Sequence, residues 1–197
     1  MNADVPIAAV VLAAGRSARL GRPKQLVPID GEPLVHRAAR AALDAGCRPV
    51  AVVLGAESDS VGAGVADLPV LPVSNPDWAD GVGTSIACGM RAAAAHRPAG
   101  CIVLPCDQPR LTARVLAGLI ERFLRGDAQA VACAYGGTVG APVLFTPALF
   151  DRLAALTGDS GAKRVLRGCA PLAVVDFPGG ELDIDTDADL QRATSRA

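Results

Sequence analysis

The chain has 197 residues, 51% of them apolar and 20% charged, with a formal net charge of −1. That is enough chain for one sizeable core and too little positive charge for a general nucleic-acid binding surface. Aromatics make up only 3%, so Ala, Val and Leu must fill the interior, as in α/β proteins with aliphatic strands and Ala-rich helices.

From the N-terminus, Met1 to Asp4 carry no positive charge ahead of the apolar run Ile7 to Ala14. That run is too short for a signal-peptide core or a membrane span, so a cytoplasmic protein without membrane contact is expected. Ala8–Ala13 is an apolar run ending in Gly, as a buried parallel strand does. Leu34 to Ala45 has helical spacing and stops at Gly46. Pro49–Leu54 and Val70–Val73 predict strands on either side of a short helix over Ser58 to Asp67. Thr84 to His96 is Ala-rich and helical; Cys101–Leu104 is a strand stopped by Pro105; Thr112 caps a helix through Leu124. Ala130–Ala134 is a further strand, and after Gly136-Gly137 the rhythm changes. Pro142–Phe145 predicts a strand, Pro147 a helix toward Leu156, Gly161 to Arg167 a short helix and Leu172–Val175 a strand. Leu182–Asp185 is an extended piece before a C-terminal helix from about Asp187.

This alternation implies one domain over 1–197: a three-layer α/β/α architecture whose mostly parallel sheet is covered on both faces. Ligands in such folds bind where the strands end. The six cysteines contain no CxxC pair, which predicts apolar fillers in a reducing compartment. His36 and His96 lie away from every motif below, and no Ser-His-Asp or Cys-His constellation is evident.

The segment after the first strand, Ala13 to Lys24, holds two glycines, four cationic side chains and a hydroxyl within twelve residues. Glycines let backbone N–H groups turn toward an anion, and Arg and Lys add charge-assisted contacts to phosphate. The spacing fits neither a Walker A loop nor GxGxxG. Asp107 follows the fourth strand, between Pro105 and Pro109, on a fixed turn; Mg²⁺ takes one or two such carboxylates plus phosphate oxygens. Asn75 to Ser85 carries the one Trp, Trp78, and opens a helix whose free N–H groups suit an anion or a base edge. In Leu182 to Asp187, period two puts Asp183 and Asp185 on one face, where a cation or solvent must screen them.

LAAGRSARLGRPKQL resembles the LAxGxSxRxGxxKxL signature of the MobA-like nucleotidyltransferases. PCDQP, NPDWADGVGTSI, GAPVLF, GDSGA and DIDT are similar to that family's later motifs, and they occur in its order from Val10 to Leu190. Ala14 and Pro23 resemble the molybdenum cofactor cytidylyltransferase branch rather than the guanylyltransferase branch; Leu20 stands where the family often has Met. The resemblance implies a Rossmann-like, nucleotide-diphospho-sugar transferase-like sheet, with a nucleotide-binding half over about 6–110 and an acceptor half over about 111–192. It implies Mg²⁺-dependent transfer of CMP from CTP to molybdopterin cofactor, with release of pyrophosphate and a molybdoenzyme as recipient of the product. Lys24, Arg19 and Asp107 would be catalytic. Leu12, Ala13, Ala14, Gly15, Arg16, Ser17, Gly21, Lys24, Gly81 and Ser85 would bind nucleotide. Gly158, Asp159 and Asp183 would bind the acceptor, and Asp107 with Asp185 or Asp183 the metal. The alternatives are a guanylyltransferase using GTP, a transferase acting on a sugar phosphate, and an accessory protein that carries cofactor to a molybdoenzyme.

Overall fold

A computed structural model describes residues 5–195 of the chain. In chain order the elements are β1 (Ile7–Leu12), β2 (Pro28–Ile29), β3 (Glu32–Pro33), α1 (Leu34–Asp44), β4 (Val50–Leu54), α2 (Ser58–Ala63), β5 (Leu71–Ser74), α3 (Val82–Ala94), β6 (Gly100–Pro105) and α4 (Ala113–Phe123). They continue with β7 (Ala130–Tyr135), β8 (Thr138–Phe145), α5 (Phe150–Ala154), α6 (Ala162–Leu166), β9 (Leu172–Asp176) and α7 (Asp187–Thr194).

Seven strands form one sheet in the order β5-β4-β1-β6-β8-β7-β9, and β2 pairs only with β3. Alternation along β1 sorts the core into two layers. Ile7, Ala9 and Val11 face one side with α1 and α4, where Val35, Leu116 and Leu119 pack; Ala8 and Val10 face the other with α3 and α5, where Ile86, Met90 and Leu153 pack. Buried on both faces, β1, β4 and β6 can be aliphatic from end to end, which is why they read as continuous apolar runs. The β5-β4-β1-β6 and β7-β9 pairings are parallel.

The expected alternation breaks at β8, which runs antiparallel to both β6 and β7. Gly136 and Gly137 both have positive φ, 52° and 74°, so the chain reverses in a tight hairpin instead of crossing over through a helix. The strand expected at Pro142–Phe145 therefore begins at Thr138. The helix expected from Pro147 is a single 3₁₀ turn followed by α5. Thr112 makes no capping hydrogen bond through its side chain, whereas Thr186 and Asp189 form a reciprocal capping box at the start of α7.

This topology fixes the site. Parallel neighbours β1 and β6 pair Leu12 with Pro105 at their ends, so the Ala13–Lys24 segment and Asp107 emerge side by side. The chain leaving β9 returns to the same place: the Ile184 amide donates to the Asp107 carbonyl at 3.0 Å.

Candidate nucleotidyl-transfer site

The segment after β1 is shaped from within. Gln25, almost wholly buried, donates through Nε2 to the carbonyls of Ala13 at 2.9 Å and Gly15 at 2.6 Å, and its Oε1 accepts from the Ser17 hydroxyl at 3.2 Å. Ser17 Oγ also accepts from the Lys24 amide at 3.0 Å, closing the loop on itself. Ser17 and Gly21 have positive φ, and the Leu20 and Gly21 amides both donate to the Ser17 carbonyl. The outer residues Gly15, Arg16, Arg19 and Gly21 remain exposed.

Lys24 is where three parts of the chain meet. Its Nζ donates to Asp107 Oδ2 at 2.5 Å and to Asp185 Oδ1 at 2.8 Å; Asp185 Oδ2 accepts from Arg19 at 2.7 Å. Burial works to lower the Lys24 pKa, but Asp107 and then Asp185 outweigh it and hold the ammonium charged well above the usual lysine range. Asp185 is likewise held below the ordinary carboxylate range, since hydrogen bonds and charge from Lys24 and Arg19 overcome its desolvation. Asp183 goes the other way: desolvation, followed by the negative charge of Asp107, pushes it up to about 6.

Two cavities meet at this junction. The smaller, about 240 Å³, has Ala14, Gly15, Lys24, Gln25, Trp78, Gly81 and Ser85 among its walls. The larger, about 650 Å³, is walled in part by Gln108, Tyr135, Asp159, Lys163 and Asp183. Leu12, Val82, Pro105 and Asp107 border both. The structure thus brings Leu12, Ala14, Gly15, Lys24, Gly81, Ser85 and Asp107 to the smaller cavity, and Asp107, Asp159 and Asp183 to the larger. Ala13 lies behind the wall, buried, with its carbonyl held by Gln25.

Gly158 lies at the seam. Its carbonyl accepts from the Gly83 amide at 2.8 Å, tying the segment before α6 to the first turn of α3. Gly81 has φ 117°, and a Cβ there would stand 2.4 Å from the Gly158 carbonyl. Asn75 secures the same turn from behind, donating to Thr84 Oγ1 and Ser85 Oγ at 3.0 Å each. Sequence reasoning assigned no role to Gln25, Asn75, Gln108, Tyr135 or Lys163. For Gln25 the available signal was its place beside Lys24 in a basic loop, and for Asn75 and Gln108 their places in NPDWADGVGTSI and PCDQP; for Tyr135 and Lys163 only the fold brings them in.

Comparison with known proteins identifies the family. A model of the MobA-like NTP transferase domain matches residues 9–174. The chain belongs to that family of nucleotidyltransferases. It is 35% identical over 174 residues to nicotine blue oxidoreductase of Paenarthrobacter nicotinovorans, covering 84% of each chain. To purine catabolism protein PucB of Bacillus subtilis it is 31% identical over 188 residues, 90% of each. The crystal structure of Rv0371c from Mycobacterium tuberculosis superimposes with a TM-score of 0.80 at 30% identity, over 96% of this chain and 98% of that one. The same protein has been solved in complex with manganese, with a TM-score of 0.75 at 28% identity, over 98% of this chain and all of that one.

The donor set at the junction suits a hard divalent cation. Asp107 and Asp185 share one cation, the Lys24 ammonium, and present only carboxylate oxygens. Among the described residues no group of three His, Cys, Asp or Glu side chains is arranged to hold a metal ion. Substrate phosphate oxygens and water would complete the shell, as Mg²⁺ prefers. No helix among the described residues is long and apolar enough to cross a membrane.

Proposed function

We propose that the protein transfers CMP from CTP to the terminal phosphate of molybdopterin cofactor, releasing pyrophosphate with Mg²⁺ as cofactor. The observation that carries this reading is the meeting of two cavities at Asp107 and Lys24, with the phosphate-type loop on one side and an acceptor-sized cleft on the other. In this reading the nucleotide-binding half runs over about 6–110 and the acceptor half over about 111–192. Backbone and cationic groups of Gly15 to Gly21, with Arg16 and Ser17, hold the triphosphate. Leu12, Ala14, Gly81 and Ser85 border the base and ribose, and Ala13 backs that wall from behind. Gly158, Asp159 and Asp183 face the acceptor. Manganese in the related mycobacterial structure supports a divalent ion here.

An acceptor phosphate oxygen attacks the α-phosphorus in line. The new P–O bond forms as the bond to the β-phosphate breaks, and pyrophosphate carries off the electron pair. Asp107 and Asp185 would hold the metal, which would supply charge neutralisation. Lys24 and Arg19 stabilise charge accumulating on the α-phosphoryl group. The attacking phosphate is already ionised, so positioning does most of the rest. The six free cysteines suit the reducing cytoplasm, and a molybdoenzyme would take up the product.

The test is pyrophosphate release by the purified protein with Mg²⁺ and molybdopterin cofactor, CTP against GTP. Release with CTP alone is expected, because Ala14 and Pro23 follow the cytidylyltransferase pattern. Release with GTP alone overturns the base assignment, and release with neither overturns the transfer. Asp107→Ala is expected to cut turnover by about 10²–10³-fold in folded protein. A second reading, an oxidoreductase, is favoured by the 35% identity to nicotine blue oxidoreductase. Its assay is oxidation of a reduced nicotinamide cofactor, for which the loop after β1 lacks the GxGxxG cradle.

A further inference from the structure

The smaller cavity has an aromatic wall on the side away from its charges. The sheet order β4-β1-β6 puts the end of β1 in the middle. Lys24 meets Asp107 on one side, beyond the end of β6. Trp78 stands on the other side, against the end of β4. A Cβ on Gly55, the residue after β4, would lie 2.6 Å from Trp78 Cβ and 2.7 Å from both Trp78 Cγ and the Ala14 carbonyl oxygen. A glycine at that position lets the tryptophan close down on the strand end. Two strand spacings, about 10 Å, separate the two sides, a width that a base, a ribose and a phosphate in line can bridge.

Trp78 is half-buried. It packs on the core layer shared by β1 and α3, and it also lines the cavity, where Leu12, Ala14 and Val82 are its apolar neighbours in the wall. Aliphatic side chains fill most of the interior, and the one tryptophan of the chain stands at this cavity instead. An indole face beside a phosphate-type loop suits a nucleobase, because bases stack on aromatic side chains whatever their identity.

We infer that Trp78 is a nucleotide-binding residue: its indole is the surface on which the base of the nucleoside triphosphate lies, while the α-phosphate reaches Lys24 across the end of β1. This deepens the proposed transfer reaction and rests on its assignment of the smaller cavity to the nucleotide. Stacking strengthens the binding of either base and leaves the choice between CTP and GTP to other groups.

Trp78 is the only tryptophan, so its emission reads the contact directly. The test titrates wild type, with Mg²⁺ present, with CTP, GTP and inorganic tripolyphosphate, which has the phosphates without base or ribose. The nucleotide that binds more tightly is expected to quench the emission, and tripolyphosphate to bind with little quenching. By calorimetry, Trp78→Leu is expected to weaken that nucleotide about tenfold and to leave tripolyphosphate within about twofold of wild type, and Trp78→Phe to keep most of the nucleotide affinity. Equal quenching by tripolyphosphate, or none by either nucleotide, overturns the inference even if no variant folds. So does a folded Trp78→Leu that keeps full nucleotide affinity, or one that loses tripolyphosphate equally, the mark of a tryptophan that only holds the loop. Failure of the transfer reading would look different: quenching by nucleotide intact, with no pyrophosphate released.

Discussion

The two cavities are built in opposite ways. One wall of the smaller is a contiguous stretch, Leu12 to Gln25, whose polar groups satisfy one another: Gln25 and Ser17 hold the loop, and Lys24 sits between two carboxylates. The larger is assembled from β6, β8, α6 and the chain after β9, and one of its carboxyl groups is left without a countercharge: Asp183, facing Asp107, resists ionisation. Under the proposed transfer, a pre-formed cradle serves a triphosphate, which is the same whichever base it carries. An acceptor must be told apart from its neighbours, and a cleft assembled from several elements gives more side chains to do that.

The sharpest way to break the contrast is Lys24→Met. It takes the cation from the smaller site and leaves Asp107 and Asp185 facing each other. Pyrophosphate release is expected to fall by about 10²–10³-fold. Mg²⁺ alone is expected to bind the variant more tightly than wild type, because the ammonium no longer competes for the carboxylates. Titration calorimetry of Mg²⁺ into both proteins checks this, and weaker binding by the variant would mean that Lys24 helps build the metal site.

Much of the first region was legible in the sequence. Glycines, cationic side chains and a following Pro-Lys all fall within one stretch after a buried strand, so local chemistry and position agree. Asp107 stood out because prolines bracket it at a strand end. The pairing of Lys24 with Asp185 was not legible: 161 residues separate them, and only the return of the chain after β9 brings them together. The hairpin of β2 and β3 is two residues a side, too short for periodicity to register. Gln25 falls inside a quoted motif, but its part in holding the Ala13 and Gly15 carbonyls comes from burial, and burial of a single side chain has no sequence signature. The antiparallel β8 was masked because Pro142–Phe145 is apolar whichever way it runs.

Gly81→Ala tests the seam between the regions. Its Cβ would stand 2.4 Å from the Gly158 carbonyl, in a backbone with φ 117° that side chains disfavour. The expected cost is about 2–3 kcal/mol of stability, read as a lower midpoint in urea. If the two sides share this contact, affinities for nucleotide and for pterin fall together. A loss confined to nucleotide would show that Gly158 belongs to the first region alone.

The smallest effect sharpens the contrast most directly, because it should increase stability. Asp183 ionises near 6 in the folded protein and near 3.9 when unfolded. The neutral carboxyl is therefore favoured by folding. That stability is fully present below about pH 4 and is lost as pH rises through 6, above which the folded state carries the cost of a charge facing Asp107 and Asp185. Asp183→Asn removes the titration. Near pH 4 the variant should match wild type; at pH 8 it should be more stable by about 1 kcal/mol, a modest gain because solvent screens this side chain at the cleft mouth. Urea unfolding at the two pH values in metal-free buffer reads the difference. Asp185→Asn should do the reverse at pH 8, since Lys24 and Arg19 hold that carboxylate ionised and would be left short of a partner. Opposite signs at positions two residues apart would show that the first region's charges are matched and the second's are held in readiness for a ligand.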